Sequence, residues 1–397
     1  MTDSTENFEQ VRDRLVQIIV SDPGAIEARF LLAEIERRRG NLNGAVAIYR
    51  AVLENHPELG RVRLELAATL AAAGNDADAE QEYFRVLRNV PPGTVSARIR
   101  NALAAIEDRK SFLWDFGISL AGDSNINAAP RDRNVTIFGL PFVLSEESRV
   151  QSGMGVRVTA AGEWRPKLSD EIRLRLGGNL FDVDYQGGRF DNQGADGRAG
   201  LQLTKERWSV SLLGLGSAHY YGGALYSSSY GGRIENTWLA SERMAVHGDS
   251  DVQYVSVPAF HGVNGIQWSV GVSPVYAFRP NVSGWLNLGY GARDARVKVF
   301  SYGSERLGIG GRIDTNWGVT LTAEADAIRY NYGAPNPFFG TTESDLLKRA
   351  SIAAAFPRFA VLGLTPTLSV SYDNNSSSFV ASRYERTNFE FSFSRRF

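Results

Sequence analysis

The sequence predicts an α + β multidomain chain: an N-terminal α-helical solenoid followed by a C-terminal antiparallel transmembrane β-barrel of about 14 strands. Three observations predict it. Residues 8–110 carry apolar side chains at a helical period and repeat themselves every 34 residues. From Ser111 the period changes to two and stays there to the end of the chain. The final stretch, Asn388 to Phe397, sets Phe389, Phe391 and Phe393 on one face against Glu390, Ser392 and Ser394 on the other, and it stops on Phe397.

The helical part comes first. Pro23, Pro57 and Pro91 are 34 residues apart, as are Gly40 and Gly74, Ala45 and Ala79, Tyr49 and Tyr83, and Val52 and Val86. Leu32-Ala33 and Leu66-Ala67 hold the same register. Each position has a physical reason. Gly ends the first helix of a pair, Ala lets two helices approach, Tyr fills the groove between pairs, and Pro stops the second helix. The pattern resembles the tetratricopeptide repeat, with full repeats over Ile26–Glu58 and Gly60–Pro92. A half repeat from Phe8 to Ser21 precedes them, and a closing helix runs from about Val95 to Lys110. Where such repeats usually carry an aromatic early in the first helix, Arg29 and Arg63 stand instead. Solenoids of this kind stack into a concave surface that binds peptide or protein. Arg29, Glu36, Arg63 and Arg98 are the candidate groove residues, and each also reads as an ordinary solvated charge.

The second part, residues 111–397, alternates throughout. Trp114, Phe116, Ile118 and Leu120 oppose Asp115, Gly117, Ser119 and Ala121. The same dyad recurs at Val156–Trp164, Ile172–Leu180, Ala199–Leu203, Trp208–Leu212, Ile234–Trp238, Val246–Tyr254 and Ile266–Val272. It continues at Leu286–Tyr290, Leu307–Ile313, Val319–Ala323, Ala350–Ala354, Leu368–Tyr372 and Phe389–Phe393. Strands of roughly ten residues span a bilayer when tilted. Alternate connections are short, for example Lys205–Arg207, Ser241–Arg243 and Arg279–Asn281. The others are expected to be longer loops: Asn125–Ser152, Tyr185–Gly194, Gly222–Ser229, Pro258–Gly265, Ala292–Ser304, Asn331–Ser344 and Asn374–Arg383. Short turns at one end and long loops at the other are the outer-membrane pattern. An even strand number places both barrel ends on the short-turn side with the helical domain, which is expected to be the periplasm. Pro274 inside a strand predicts a bulge or a lateral weak point. The terminal strand is expected to pair with the first and close the barrel. Phe389, Phe391, Phe393 and Phe397 resemble the C-terminal signal read by the barrel-assembly machinery.

Composition narrows the function. Net charge is −1 and the pI is about 6.5, which gives no electrostatic footprint for nucleic acid. Cysteine is absent, so disulfides and thiolate chemistry are excluded. No run of 18 apolar residues exists for a transmembrane helix. Met1–Gln10 is polar and acidic, without the basic and apolar regions of a signal peptide. An outer-membrane location therefore requires a leader removed from this sequence or encoded upstream; a cytosolic scaffold is the competing expectation. There is no H-E-x-x-H, no G-x-x-x-x-G-K and no G-x-S-x-G. His56, His219, His247 and His261 are scattered, and Asp182 and Asp184 read as solvated acids beside a loop. Asp123, Asn125 and Asn127 have the spacing that opens a calcium loop, but Ala128 and Asn134 stand where Gly and an acid are needed, so an EF-hand is rejected. No enzyme activity, metal or cofactor is expected.

The junction of the two parts reads F-G-I-S-L-A-G-D-S-N-I-N-A-A-P, Phe116 to Pro130. Asp123, Ser124, Asn125, Asn127 and Pro130 are its specific positions. From the residues alone the motif is either a polar cluster that turns the first strand into its loop or a lumen constriction that touches a passing chain. With repeats before it and a barrel after it, the motif resembles the surface lipoprotein assembly modulator (Slam) family. The resemblance covers essentially the whole chain, although the helical domain looks short for the family. It implies an outer-membrane factor that moves client lipoproteins, or related secreted proteins, to the cell surface. The barrel would be the translocating element, and the periplasmic repeats would engage clients or their carriers and chaperones. Partners expected on this reading are the client, the barrel-assembly machinery, a periplasmic carrier and outer-membrane lipid. The alternative is an exopolysaccharide export channel with a docking domain, which a single-sign, aromatic lumen would favour.

Overall fold

The computed structural model describes residues 2–87, 89–91, 93–130, 133–137, 140–337, 340–361 and 364–396. The chain divides into two compact units, Met1–Lys110 and Ser111–Phe397.

The first unit holds helices α1 (Thr2–Ser21), α2 (Ile26–Arg38), α3 (Leu42–Asn55), α4 (Gly60–Ala72), α5 (Asp76–Leu87) and α6 (Thr94–Arg109). α1 starts six residues before the expected half repeat. The 34-residue period reappears as duplicated geometry. Gly40 and Gly74 both take left-handed backbone, with φ of 82° and 76°. The Asn41 N–H then reaches back to Glu36 O at 2.9 Å, as Asn75 does to Leu70 O at 2.9 Å. This 6→1 closure consumes helix-end carbonyls and needs a residue that tolerates positive φ. Ala45 and Ala79 are fully buried, which is what lets α3 and α5 press against their partners. Tyr49, Tyr83, Val52 and Val86 complete a single apolar core with Leu66, Leu70, Ile99 and Ile106.

The second unit is a closed fourteen-strand barrel. Its strands are β1 (Phe112–Asp123), β4 (Gly153–Trp164), β5 (Ile172–Tyr185), β6 (Asn192–Lys205), β7 (Trp208–Tyr221), β8 (Ala224–Ser241) and β9 (Met244–Ser256). They continue as β10 (Gly265–Arg279), β11 (Val282–Ala295), β12 (Tyr302–Asp314), β13 (Thr320–Pro335), β14 (Thr342–Ala355), β15 (Thr365–Ser377) and β16 (Tyr384–Arg396). Every neighbouring pair is antiparallel in sequence order, and β16 pairs with β1 from Asp115↔Arg396 to Asp123↔Asn388. The long connection after β1 carries a two-stranded hairpin of its own, β2 (Asn134–Ile137) and β3 (Leu140–Val143). On the outer face Phe116, Ile118, Leu120, Leu212, Leu307, Ile309 and Phe389 are exposed, while their strand neighbours turn inward. Such an apolar outer belt is what lipid requires of a barrel. No helix among the described residues is long and apolar enough to cross a membrane; this chain crosses with strands.

Two expectations need correction. Gly222–Ser229 is not a long loop. β7 and β8 are joined by Gly222 and Gly223 alone, both at positive φ (55° and 78°), and Ala224–Ser229 belongs to β8. A Gly-Gly pair with both φ positive is a tight hairpin turn. Pro274 makes no bulge. The β10–β11 ladder keeps one register from Val272↔Leu288 to Val275↔Trp285, and its shift lies between Ala277 and Arg279. Pro274 still pairs with Val246 of β9. Opposite β11, Ser273 Oγ instead donates to Asn287 Oδ1 at 2.8 Å, a side-chain link across the place where proline cannot donate.

Candidate functional site

The first-strand motif sits where β1 leaves the wall. Alternation along β1 turns Trp114, Phe116, Ile118 and Leu120 outward and Ser119, Ala121 and Asp123 inward, where they are buried. Asp123 works in two directions. Its Oδ1 accepts the backbone N–H of Asn125 at 2.8 Å, an Asx turn that bends the chain out of the strand. Its Oδ2 accepts Arg386 Nε of β16 at 2.8 Å and Arg386 Nη2 as well. Ser124 adds a reciprocal pair with Thr387: Ser124 N donates to Thr387 O at 3.0 Å, and Thr387 N donates to Ser124 Oγ at 2.8 Å.

Asn125 is the pivot of the turn and is almost fully buried. Its Nδ2 donates to Ala129 O at 2.9 Å and to Glu385 O at 3.0 Å, and its Oδ1 accepts Ala129 N at 2.9 Å. Asn127 holds the other flank, donating to Arg149 O at 2.7 Å and accepting Gln151 N at 3.1 Å. Ala128 between them carries φ of 46°, which the surrounding bonds enforce. Pro130 is half-buried just past this turn. The motif is thus a polar clamp joining β1 to β16 on one side and to the approach of β4 on the other. Sequence reasoning found its short polar residues but not Glu385, Arg386 and Thr387. Arg386 lies two residues along β16 from Asn388, the ladder partner of Asp123, so the local sequence marks no pairing between the two.

Much of the remaining inner wall carries charges of both signs, paired with one another. Arg175 of β5 donates to Glu163 Oε1 at 2.9 Å, Ser211 Oγ at 2.9 Å and Glu235 Oε2 at 2.7 Å, linking β4, β5, β7 and β8. Arg198 also binds Glu163. Arg233–Asp251 at 3.4 Å, Arg306–Asp326 at 2.8 Å and Arg349–Asp373 at 3.6 Å extend the chain of pairs around the barrel. His219 meets Asn192 Oδ1 at 2.5 Å and packs between Phe181 and Tyr226, while His247 bonds Thr237. Asp182 and Asp184 are exposed. Among the described residues no group of three His, Cys, Asp or Glu is placed to hold a metal.

In the helical unit the four groove candidates lie on three helices, Arg29 and Glu36 on α2, Arg63 on α4 and Arg98 on α6. Arg29 donates to Pro23 O at 2.9 Å, and Arg63, one repeat later, donates to Pro57 O at 2.7 Å. This explains why arginine replaces the usual aromatic: each guanidinium ties its helix to the proline-bearing turn before it. Arg63 also pairs with Glu82 at 2.7 Å. Glu36 is buried against Asn41 (2.6 Å), Arg12 (3.4 Å) and Arg39 (3.7 Å). Arg98 is exposed on α6. On the terminal strand Phe389 is exposed on the outer face, and Phe391 and Phe393 stack edge to face at 4.9 Å. Phe397 lies outside the described residues.

A model of the surface lipoprotein assembly modifier family matches residues 114–397, the whole barrel except its first strand's opening residues. The chain belongs to the surface lipoprotein assembly modifier family. Two tetratricopeptide models match residues 5–59 and 36–106 of the same chain. The surface lipoprotein assembly modifier of Pasteurella multocida is 19% identical over 400 residues, covering 94% of this chain and 77% of that protein. Surface lipoprotein assembly modifier 1 of Neisseria meningitidis serogroup B is 22% identical over 395 residues, covering 94% and 76%. Among solved structures, a FadL homologue of Pseudomonas aeruginosa aligns with a TM-score of 0.41 at 9% identity, over 78% of this chain and 94% of that one. Likeness at that level says nothing of what passes through this barrel. Membership in the surface lipoprotein assembly modifier family places the barrel in the outer membrane, and the clamp at Asp123–Asn127 falls inside the matched region.

Proposed function

We propose that this assembly modifier delivers lipoproteins to the cell surface, with the barrel as the translocating element and the helical unit engaging clients on the periplasmic side. The observation that carries the reading is the family match over a closed fourteen-strand barrel that follows a tetratricopeptide unit. The inner wall adds a constraint. Many of its charged side chains are paired across strands, and a barrel of this size leaves no room for a folded domain. The client therefore passes unfolded, or is handed over by a periplasmic carrier. The alternating strand at Phe389, Phe391 and Phe393 is the part that the barrel-assembly machinery reads. Arg98, in solvent on α6, is the groove residue free to meet a client, while Arg29, Glu36 and Arg63 set the shape of the groove.

The test is deletion of residues 2–109. The barrel should keep its faster gel migration before boiling, while protease-accessible client at the cell surface falls. Unchanged display would remove the helical unit from the mechanism.

A further inference from the structure

We propose that Glu343 and Asp345 of β14, with the hydroxyls of Ser377 and Ser382, bind a divalent cation, calcium best of all, on the inner wall at the long-loop end of the barrel. The proposal concerns the barrel alone and does not rest on the translocation reading.

The two acids are two residues apart on one strand and therefore share a face. Asp345 pairs with Tyr330 on one side and Ser377 on the other. What sets this pair apart is the absence of a cationic partner: Glu343 accepts a bond from Ser382 Oγ at 2.6 Å, but no positive charge faces either acid among the described residues. Asp123, Glu163, Glu235, Asp251, Asp326 and Asp373 each have an arginine partner. Among the described residues neither Glu343 nor Asp345 forms an ion pair with any Arg, Lys or His. Asp345 is nonetheless buried, with 8% of its surface exposed, and its Oδ1 has no hydrogen-bond partner. A buried carboxylate oxygen with nothing opposite it is costly, and two adjacent ones compound the cost by repulsion.

A dication neutralises two carboxylates at once. The remaining donors are also hard oxygens. Ser377 is buried opposite Asp345, and Ser382 Oγ already lies 2.6 Å from Glu343 Oε1. Neither His nor Cys contributes, which disfavours softer metals and suits calcium, whose ligand sphere is flexible and oxygen-only. Ser382 belongs to the 378–383 connection that leads into β16, so an ion here would fasten that loop to β14. Arg383 in the same loop is exposed and donates to Ser377 O at 2.7 Å.

The full-length protein, purified in detergent micelles, can be titrated with terbium, a calcium surrogate whose emission is sensitised by nearby tyrosines. Tyr330 is paired directly with Asp345, and Tyr332 stands on the same face. The expected result is saturable emission that calcium displaces, with a calcium Kd of about 10⁻⁴–10⁻³ M, the range of weakly charged external sites. Emission should vanish in the Glu343→Gln/Asp345→Asn double variant and persist in Asp182→Asn/Asp184→Asn. Should the double variant fail to fold, the wild type still decides: calcium should slow tryptic cleavage after Arg383. Absence of sensitised emission, emission that survives the double variant, or a cleavage rate indifferent to calcium would each overturn the proposal. None of these measurements needs a client, so their failure would leave the translocation reading as it stands.

Discussion

Asp123 and Arg386 stand 263 residues apart in sequence and form an ion pair across the junction of the first and last strands, with Arg386 Nε donating to Asp123 Oδ2 at 2.8 Å. The Asp123 side chain is all but fully buried, so its partner cannot be replaced by water. A closed barrel must join its two chain ends somewhere, and here the join is fixed by charge as well as by the ladder.

Asp123→Ala should therefore cost about 3 kcal/mol in a urea refolding titration, since it leaves a largely buried arginine unpaired and removes the turn-forming oxygen. Arg386→Ala should cost a similar amount, and the double variant should cost less than the sum. Fully additive losses would show that the two residues act separately.

Arg175 tests the inner wall. It lies on the inward face of β5 and is a hub touching Glu163, Ser211 and Glu235. Arg175→Ser should cost about 3 kcal/mol, because Glu235 loses its arginine and Glu163 keeps only Arg198 in a poorly solvated wall. A loss below about 1 kcal/mol would mean that water fills the lumen at this level.

The outer belt makes the opposite demand. Ile309→Arg, midway along β12 on the lipid face, should cost about 2–4 kcal/mol. Arg312→Ser, on the inner face of the same strand and half in solvent, should cost under about 1 kcal/mol. Equal costs in the same titration would show that the faces are assigned wrongly.

In the helical unit, the Arg37 guanidinium holds the Glu34 carboxyl below its usual range, and the Tyr49 hydroxyl, itself pushed up by burial, adds a second donor at 2.5 Å. A carboxylate whose folded pKa is depressed stabilises above its unfolded value, about 4.3, and loses that contribution as pH falls through the folded value. Glu34→Gln should therefore lower the melting temperature of the helical signal at pH 7, and the gap from wild type should close towards pH 3. A gap that widens on acidification would reverse the assignment.

How much of this was legible in the sequence depends on the distance over which each signal acts. The 34-residue period and the fourteen alternating segments are local, and both translated directly into elements. Ala224–Ser229 misled because Leu225-Tyr226-Ser227-Ser228-Ser229 has little apolar alternation; near the loop end of a barrel both faces approach water, so the pattern fades while the ladder continues. Of the two readings Pro274 allowed, the bulge fails, while the interrupted pairing with β11 at Ser273 and Pro274 agrees with a local weak point. For the clamp, Asp123, Asn125 and Asn127 were visible as turn-formers, but their partners on β16 are brought to them only by barrel closure. Arg29 and Arg63 were legible as charges on the first helix of each repeat, but nothing local reveals their bonds to a carbonyl six residues back.

The central claim is that lipoprotein display depends on this barrel. The most direct measurement co-expresses the full-length protein, carrying a leader, with candidate lipoproteins encoded beside it, and scores each by protease shaving of intact cells. The account predicts that at least one lipoprotein is cleaved from outside only when the protein is present, and that Asp123→Ala reduces that cleavage. Lipoprotein exposure that ignores the protein, together with polysaccharide release that requires it, would contradict the account.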